Sequence, residues 1–68
     1  MKITKHISPR GCFSGACPSI IETDENVILI QGVRLGKEDK AGLVIPGHED
    51  VVGIPKAVFE DLLSQYRR

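Results

Sequence analysis

The sequence predicts an α+β domain, a small antiparallel sheet of three to four strands followed by a C-terminal amphipathic helix. Three observations carry that expectation. Residues 27–35, V-I-L-I-Q-G-V-R-L, form the longest apolar run in the chain. Its first four residues are apolar on both faces of any strand they form, the pattern of a central strand. Short apolar segments separated by Gly, Pro, Asp and Asn clusters recur before and after it, which is strand-and-turn punctuation. The last twelve residues or so switch to helical periodicity: Val58, Phe59, Leu62, Leu63 and Tyr66 recur at i, i+1, i+4, i+5 and i+8.

Taken in order, residues 1–9 begin with the alternating K-I-T-K-H-I and form an edge strand or a loose arm. Residues 9–18, P-R-G-C-F-S-G-A-C-P, are loop chemistry, because Gly permits positive φ and Pro removes a backbone donor. S-I-I-E at residues 19–22 is a strand. The polar T-D-E-N that follows is a turn, and the 27–35 run returns as its antiparallel partner. Gly32 inside that run marks a bulge or a close backbone approach. Residues 36–42 make a charged, glycine-bounded loop. L-V-I at 43–45 is an apolar triplet stopped by Pro46 and Gly47, and residues 51–54 supply a further short strand. Pro55 suits the first helical position, where its missing N–H costs nothing. The helix over 55–66 should lay Phe59, Leu62 and Leu63 across the sheet, with Lys56, Glu60, Ser64 and Arg67 facing out. Arg67 and Arg68 suit the negative end of the helix dipole.

Sixty-eight residues make a single domain with a small core. Cores of this size rarely yield more than about 3–5 kcal/mol of net stability, so such domains commonly use a disulfide, a metal or a second subunit. Phe13, Phe59 and Tyr66 are the only aromatics and there is no Trp, so the core rests on Ile, Leu and Val. That shortage argues for a homodimer or a metal. The formal net charge is zero, which weighs against direct binding of nucleic acid. Lys2, Lys5 and Arg10 stand without acids in the first 18 residues, whereas residues 19–54 hold seven acids against three bases. Solvated surface charge explains that asymmetry better than a dedicated site. No segment is long enough to cross a membrane and the N-terminus lacks a signal-peptide apolar region, so a cytoplasmic protein is expected.

Cys12 and Cys17 form C-x4-C. Three states stay open for them. Two thiolates could hold one side of a tetrahedral zinc, completed by His6 and His48, the only histidines. They could form a disulfide closing a short loop, or remain thiols, which are often buried. A catalytic role would need a base and an orienting group beside the thiolate. Nothing in the spacing supplies them, so no catalytic residue is assigned and the chain reads as non-enzymatic. There is no G-x-G-x-x-G and no G-K-[ST], which removes a phosphate loop.

Two stretches carry a family resemblance. G-C-F-S-G-A-C-P-S-I-I-E-T-D at residues 11–24 runs into V-I-L-I-Q-G-V-R-L, and a V-V-G-I-P strand leads into the helix K-A-V-F-E-D-L-L. This plan resembles a family of small actinobacterial domains of unknown function that contains the BldB-type developmental regulators, over most of residues 10–64. The resemblance implies a homodimeric partner protein, commonly encoded beside helix-turn-helix regulators and modulating them, some in toxin–antitoxin-like pairs. The surfaces expected to bind that partner are the exposed face of residues 27–35 and the loop at 10–18, with Arg10, Phe13, Gln31, Val33 and Arg34 as the candidate residues. A narrower likeness joins G-I-P-K-A-V-F-E-D-L-L at residues 53–63 to the swapped-hairpin DNA-binding segment of AbrB and MazE proteins, with Phe59 where that family has a basic residue. That likeness, or a zinc held by the cysteines and histidines, makes a zinc-stapled or AbrB-like DNA-binding module the alternative. A thiol-based redox sensor built on Cys12 and Cys17 is the third reading. If residues 27–30 are apolar on both faces, one helix cannot cover both. The remaining face needs the cysteine loop, a second subunit or a partner.

Overall fold

A computed structural model gives the fold and describes residues 1–12 and 17–68. It is an α+β arrangement. The strands are β1 (Ile3–Ile7), β2 (Ser19–Thr23), β3 (Ile28–Gln31), β4 (Val33–Arg34) and β5 (Val52–Gly53), followed by the helix α1 (Lys56–Tyr66). β1, β2 and β3 form one antiparallel sheet in that spatial order, and β4 and β5 pair as a separate two-stranded ribbon. The N-terminal arm is therefore an edge strand. The charged loop contains a single 3-10 turn at Glu38–Lys40.

The strand register explains where the core sits. Ile7 pairs with Ile20, and Ile20 pairs with Ile30. Residues directly opposite in an antiparallel pair project to the same face, so these three isoleucines share one side of the sheet. α1 packs there. Ile7, Ile20 and Leu62 form the buried cluster, with Val58 against it. Leu62 is fully buried. His6, Ile21 and Leu29 are opposite one another and share the other face.

Three expectations are corrected. The central strand is β2 and not the 27–35 run: Ser19, Ile20 and Ile21 are buried, while all four residues of β3 are exposed. The 27–35 run is not one strand either, because it breaks at Gly32 into β3 and β4. Finally, the helix presents Val58 and Leu62 to the sheet and leaves Phe59 exposed. The helix is rotated because Asp61 and Gln65, polar residues on the flank of the apolar stripe, are drawn toward the loop after β1. Gln65 Nε2 donates to the Ser8 carbonyl at 2.9 Å and to Asp61 Oδ2 at 2.9 Å.

Local chemistry closes the turns. In the β2–β3 hairpin, Thr23 Oγ1 donates to the Val27 carbonyl at 2.7 Å, and Asn26 takes the left-handed φ of 60° that Asn tolerates. Buried Ser19 Oγ donates to the Cys17 carbonyl at 2.9 Å, so its burial leaves no orphaned hydroxyl. Pro55 is the N-cap, one residue outside the helix, and its carbonyl accepts from Phe59 N at 2.9 Å. Gly32 is a close approach: a Cβ there would lie 2.7 Å from the Gly53 carbonyl oxygen. Residues 43–45 form no strand, and Val44 is almost wholly exposed.

Candidate functional site

The candidate site is the exposed apolar edge strand β3 with the groove beside it. β3 supplies Ile28, Leu29 and Ile30, with Val27 just before it, and β4 supplies Val33. All five are exposed, Ile30 to 50% and Val33 to 62%. Between β3, β5 and the start of α1 lies an open groove of about 620 Å³. Ile30, Val52, Ile54 and Phe59 line it, with Asp50 and Lys56 at the polar rim. The helix rotation that removes Phe59 from the core is what places it in this groove.

The total exposed surface is larger than a self-sufficient chain of this size would keep. The protein exposes 5420 Å². A folded monomer of 7.4 kDa is expected to expose about 4,200 Å², an excess of about 1,200 Å². The radius of gyration, 13.2 Å, likewise exceeds the roughly 11 Å expected for this length. Four hydrophobic side chains, Ile7, Ile20, Ile21 and Leu62, make up the buried apolar core among the described residues. The chain thus leaves much surface uncovered, and the neighbouring exposed apolar side chains of β3 are where an interaction surface is expected.

The expected partner-binding residues fall in two places. Gln31 ends β3 opposite Ser19, and Val33 and Arg34 form β4 opposite Gly53 and Val52; all three are exposed. Arg10 is instead engaged with α1. Its backbone N–H donates to Asp61 Oδ2 at 3.0 Å, and its Nε stands 3.3 Å from Asp61 Oδ1. Phe13 lies outside the described residues. Ile30 falls in the run whose uncovered face was expected to meet a partner, whereas Val52, Ile54 and Phe59 were missed by sequence reasoning as groove residues. Each is apolar and each sits in a segment that reads as core, so only the strand order and helix rotation reveal them.

Cys12 and Cys17 are bonded to each other as a disulfide. In this oxidised form their sulfurs bind one another. His6 lies on β1 opposite Ile21, and exposed His48 has Glu49 as its neighbour, Nε2 to Oε2 being 3.9 Å. Among the described residues no group of three or more His, Cys, Asp or Glu side chains is arranged to hold a metal ion. The structure thus joins the two cysteines and does not gather the histidines to them.

Two carboxylates tie separate segments together, Asp50 at the groove rim and Asp61 between α1 and the loop after β1. Lys40 Nζ reaches Asp50 Oδ1 at 3.0 Å, tying the 3-10 turn to the segment before β5. The Lys40 hydrogen bond, with the Val51 N–H, holds the Asp50 carboxyl below its usual range. The Asp61 carboxyl is also held low, chiefly by the Arg10 backbone N–H and further by Gln65 and the Arg10 charge, against a partial opposing effect of burial. A carboxyl depressed in the folded state contributes stability above its ordinary pKa, and that contribution is lost as pH falls through the lowered value. The Arg10 amide resonance should therefore titrate together with Asp61 below about pH 4, as read by NMR. Asp61→Asn should remove that inflection while leaving the fold at neutral pH. An Arg10 amide that shows no transition would break the assignment.

No helix among the described residues is long and apolar enough to cross a membrane. Comparison with protein-family models, with curated proteins and with solved structures finds no match to this chain.

Proposed function

We propose that this chain is a non-enzymatic interaction domain that binds and modulates a helix-turn-helix transcription regulator, itself acting as a homodimer, in the manner of a toxin–antitoxin-like pair. The observation that carries the interaction role is the set of exposed apolar side chains on β3, on β4 and in the groove beside Phe59. The class of partner comes from the resemblance of residues 11–35 and 51–63 to the BldB-type family. Zero net charge favours a protein partner over direct contact with a duplex.

The groove has the composition of a protein-binding hot spot: an aromatic ring among aliphatic side chains, with a charged rim. Val33 and Arg34 border it through the pairing of β4 with β5. The test is affinity for the helix-turn-helix protein encoded beside this chain's gene. Val33→Asp and Arg34→Ala should each weaken the complex about tenfold or more, the loss of about 1.4 kcal/mol that a peripheral anchor contributes. Circular dichroism should be unchanged, because neither side chain is buried. Unaltered affinity in both variants would place the regulator on another surface, and no affinity in the parent chain would remove the proposed function.

A further inference from the structure

We propose that a second copy of this chain adds to the free edge of β3, running antiparallel with Leu29 on the two-fold axis, so that two three-stranded sheets join into one of six strands. The inference deepens the homodimer in the function proposed above and rests on that reading.

β3 is the terminal strand of its sheet, with β2 on one side only. A terminal strand presents unpaired N–H and C=O groups, and proteins that remain monomeric blunt such edges with lysines, prolines or bulges. The opposite edge of this sheet is blunted in that way. β1 carries Lys5, is preceded by Lys2, and its register shifts between Ile3 and Lys5. β3 has none of these devices. Its sequence, I-L-I-Q, contains no charge, no Pro and no bulge, and Val27 before it is also apolar. The two edges of one sheet are thus built differently, one guarded and one open.

The occupant of the open edge is set by three features. First, the edge needs a strand. A regulator's helix would cover side chains but would leave the β3 backbone groups unpaired, at a cost comparable to lost hydrogen bonds. Second, β3 is complementary to itself. In an antiparallel pair centred on Leu29, Ile28 faces Ile30 of the second copy, Val27 faces Gln31, and no like charges are opposed. The side-chain faces agree as well. Ile28 and Ile30 both lie on the helix side of the sheet and Leu29 on the other, so each face continues as apolar surface across the axis. Third, the strand to be covered is apolar and uncovered in the single chain: Val27, Ile28, Leu29 and Ile30 are all exposed.

The experiment uses the full chain with its native disulfide intact. By sedimentation or light scattering at about 100 µM, where a micromolar dimer is nearly saturated, the mass should be twice that of the chain. Leu29→Lys sets two ammonium groups against each other at the axis and should give a monomer. Leu29→Cys should cross-link to a covalent dimer on mild oxidation. Directly opposed Cα atoms stand about 4.5–5.5 Å apart, within the roughly 4.4–6.8 Å that a disulfide spans. Ile28→Cys, whose opposite residue is Ile30, should not cross-link to itself. Cross-linking keeps the test decisive even if Leu29→Lys fails to fold. A monomeric parent chain overturns the inference, and so does cross-linking through Ile28→Cys in place of Leu29→Cys. Regulator binding is measured separately on the parent chain. A monomer that still binds the regulator overturns the strand pairing alone, whereas a dimer without affinity for it overturns the regulator reading alone.

Discussion

Leu62→Ala should leave the domain largely unfolded at 25 °C. Leu62 is the one large side chain with no exposed surface among the described residues, and it joins α1 to Ile7 on β1 and Ile20 on β2. Truncating a buried leucine costs about 2–5 kcal/mol, through lost transfer free energy and the cavity left behind. A domain of this size has only about 3–5 kcal/mol to lose. No neighbouring buried side chain can fill the space, because Ile7 and Ile20 are held in register on the sheet and Val58 is fixed one turn away on the same helix. Urea unfolding followed by far-ultraviolet circular dichroism should show the transition midpoint moving to near zero denaturant. The comparison must be made at one protein concentration, since association would stabilise either variant by mass action. Leu63→Ala, on the half-buried flank of the helix, should shift the midpoint much less. Equal effects from the two would mean that the helix is not seated on Leu62 as described.

Gly32→Ala should detach the β4–β5 ribbon from the three-stranded sheet, or cost about 1–3 kcal/mol if the ribbon stays in place, the usual penalty for overpacking. The added methyl would stand 2.7 Å from the Gly53 carbonyl oxygen and 3.0 Å from both Ile54 Cγ1 and Val52 Cγ2. A side-chain tip could swing aside, but a backbone oxygen moves only with its strand. The backbone at Gly32 is not in the left-handed region, so the effect is steric rather than conformational. Amide resonances of Val33, Arg34, Val52 and Gly53 should shift and lose hydrogen-exchange protection, while those of β1 and β2 change little. Gly42→Ala and Gly47→Ala, where a Cβ meets nothing within 4 Å, serve as controls and should be close to neutral. If Gly32→Ala matched these controls, the junction between the two sheets would be looser than its geometry implies. Detachment would also open the groove, because Val52 and Ile54 form the wall facing Ile30 and Phe59.

Much of the local structure was legible in the residues. The polar turn at 23–26 and its flanking strands follow from Asp and Asn chemistry, and the S-I-I-E strand does pair with the start of the 27–35 run. Pro55 marks the start of the helix to within one residue. Gly32 is a close approach, one of the two roles a glycine in a strand can signal. The candidate surface was legible only in part. Val33, Arg34 and Gln31 are exposed, Arg10 is tied to Asp61, and Val52, Ile54 and Phe59 of the groove were read as core. Periodicity cannot separate apolar residues that face the chain's own core from apolar residues that face outward, because both satisfy the same pattern.

What the sequence determined by itself was the set of elements, the α+β class and the presence of more apolar strand surface than one short helix can cover. What only the tertiary structure decided was which strand is central, how the helix is turned and where the uncovered surface lies. A run such as V-I-L-I specifies that both faces and the edge of a strand avoid water, without specifying what excludes it. The strand order β1–β2–β3 gives the inner position to β2, because the hairpin at 23–26 joins β2 to β3 while β1 pairs on its other side. That leaves the most apolar strand of the chain at the edge of its own sheet.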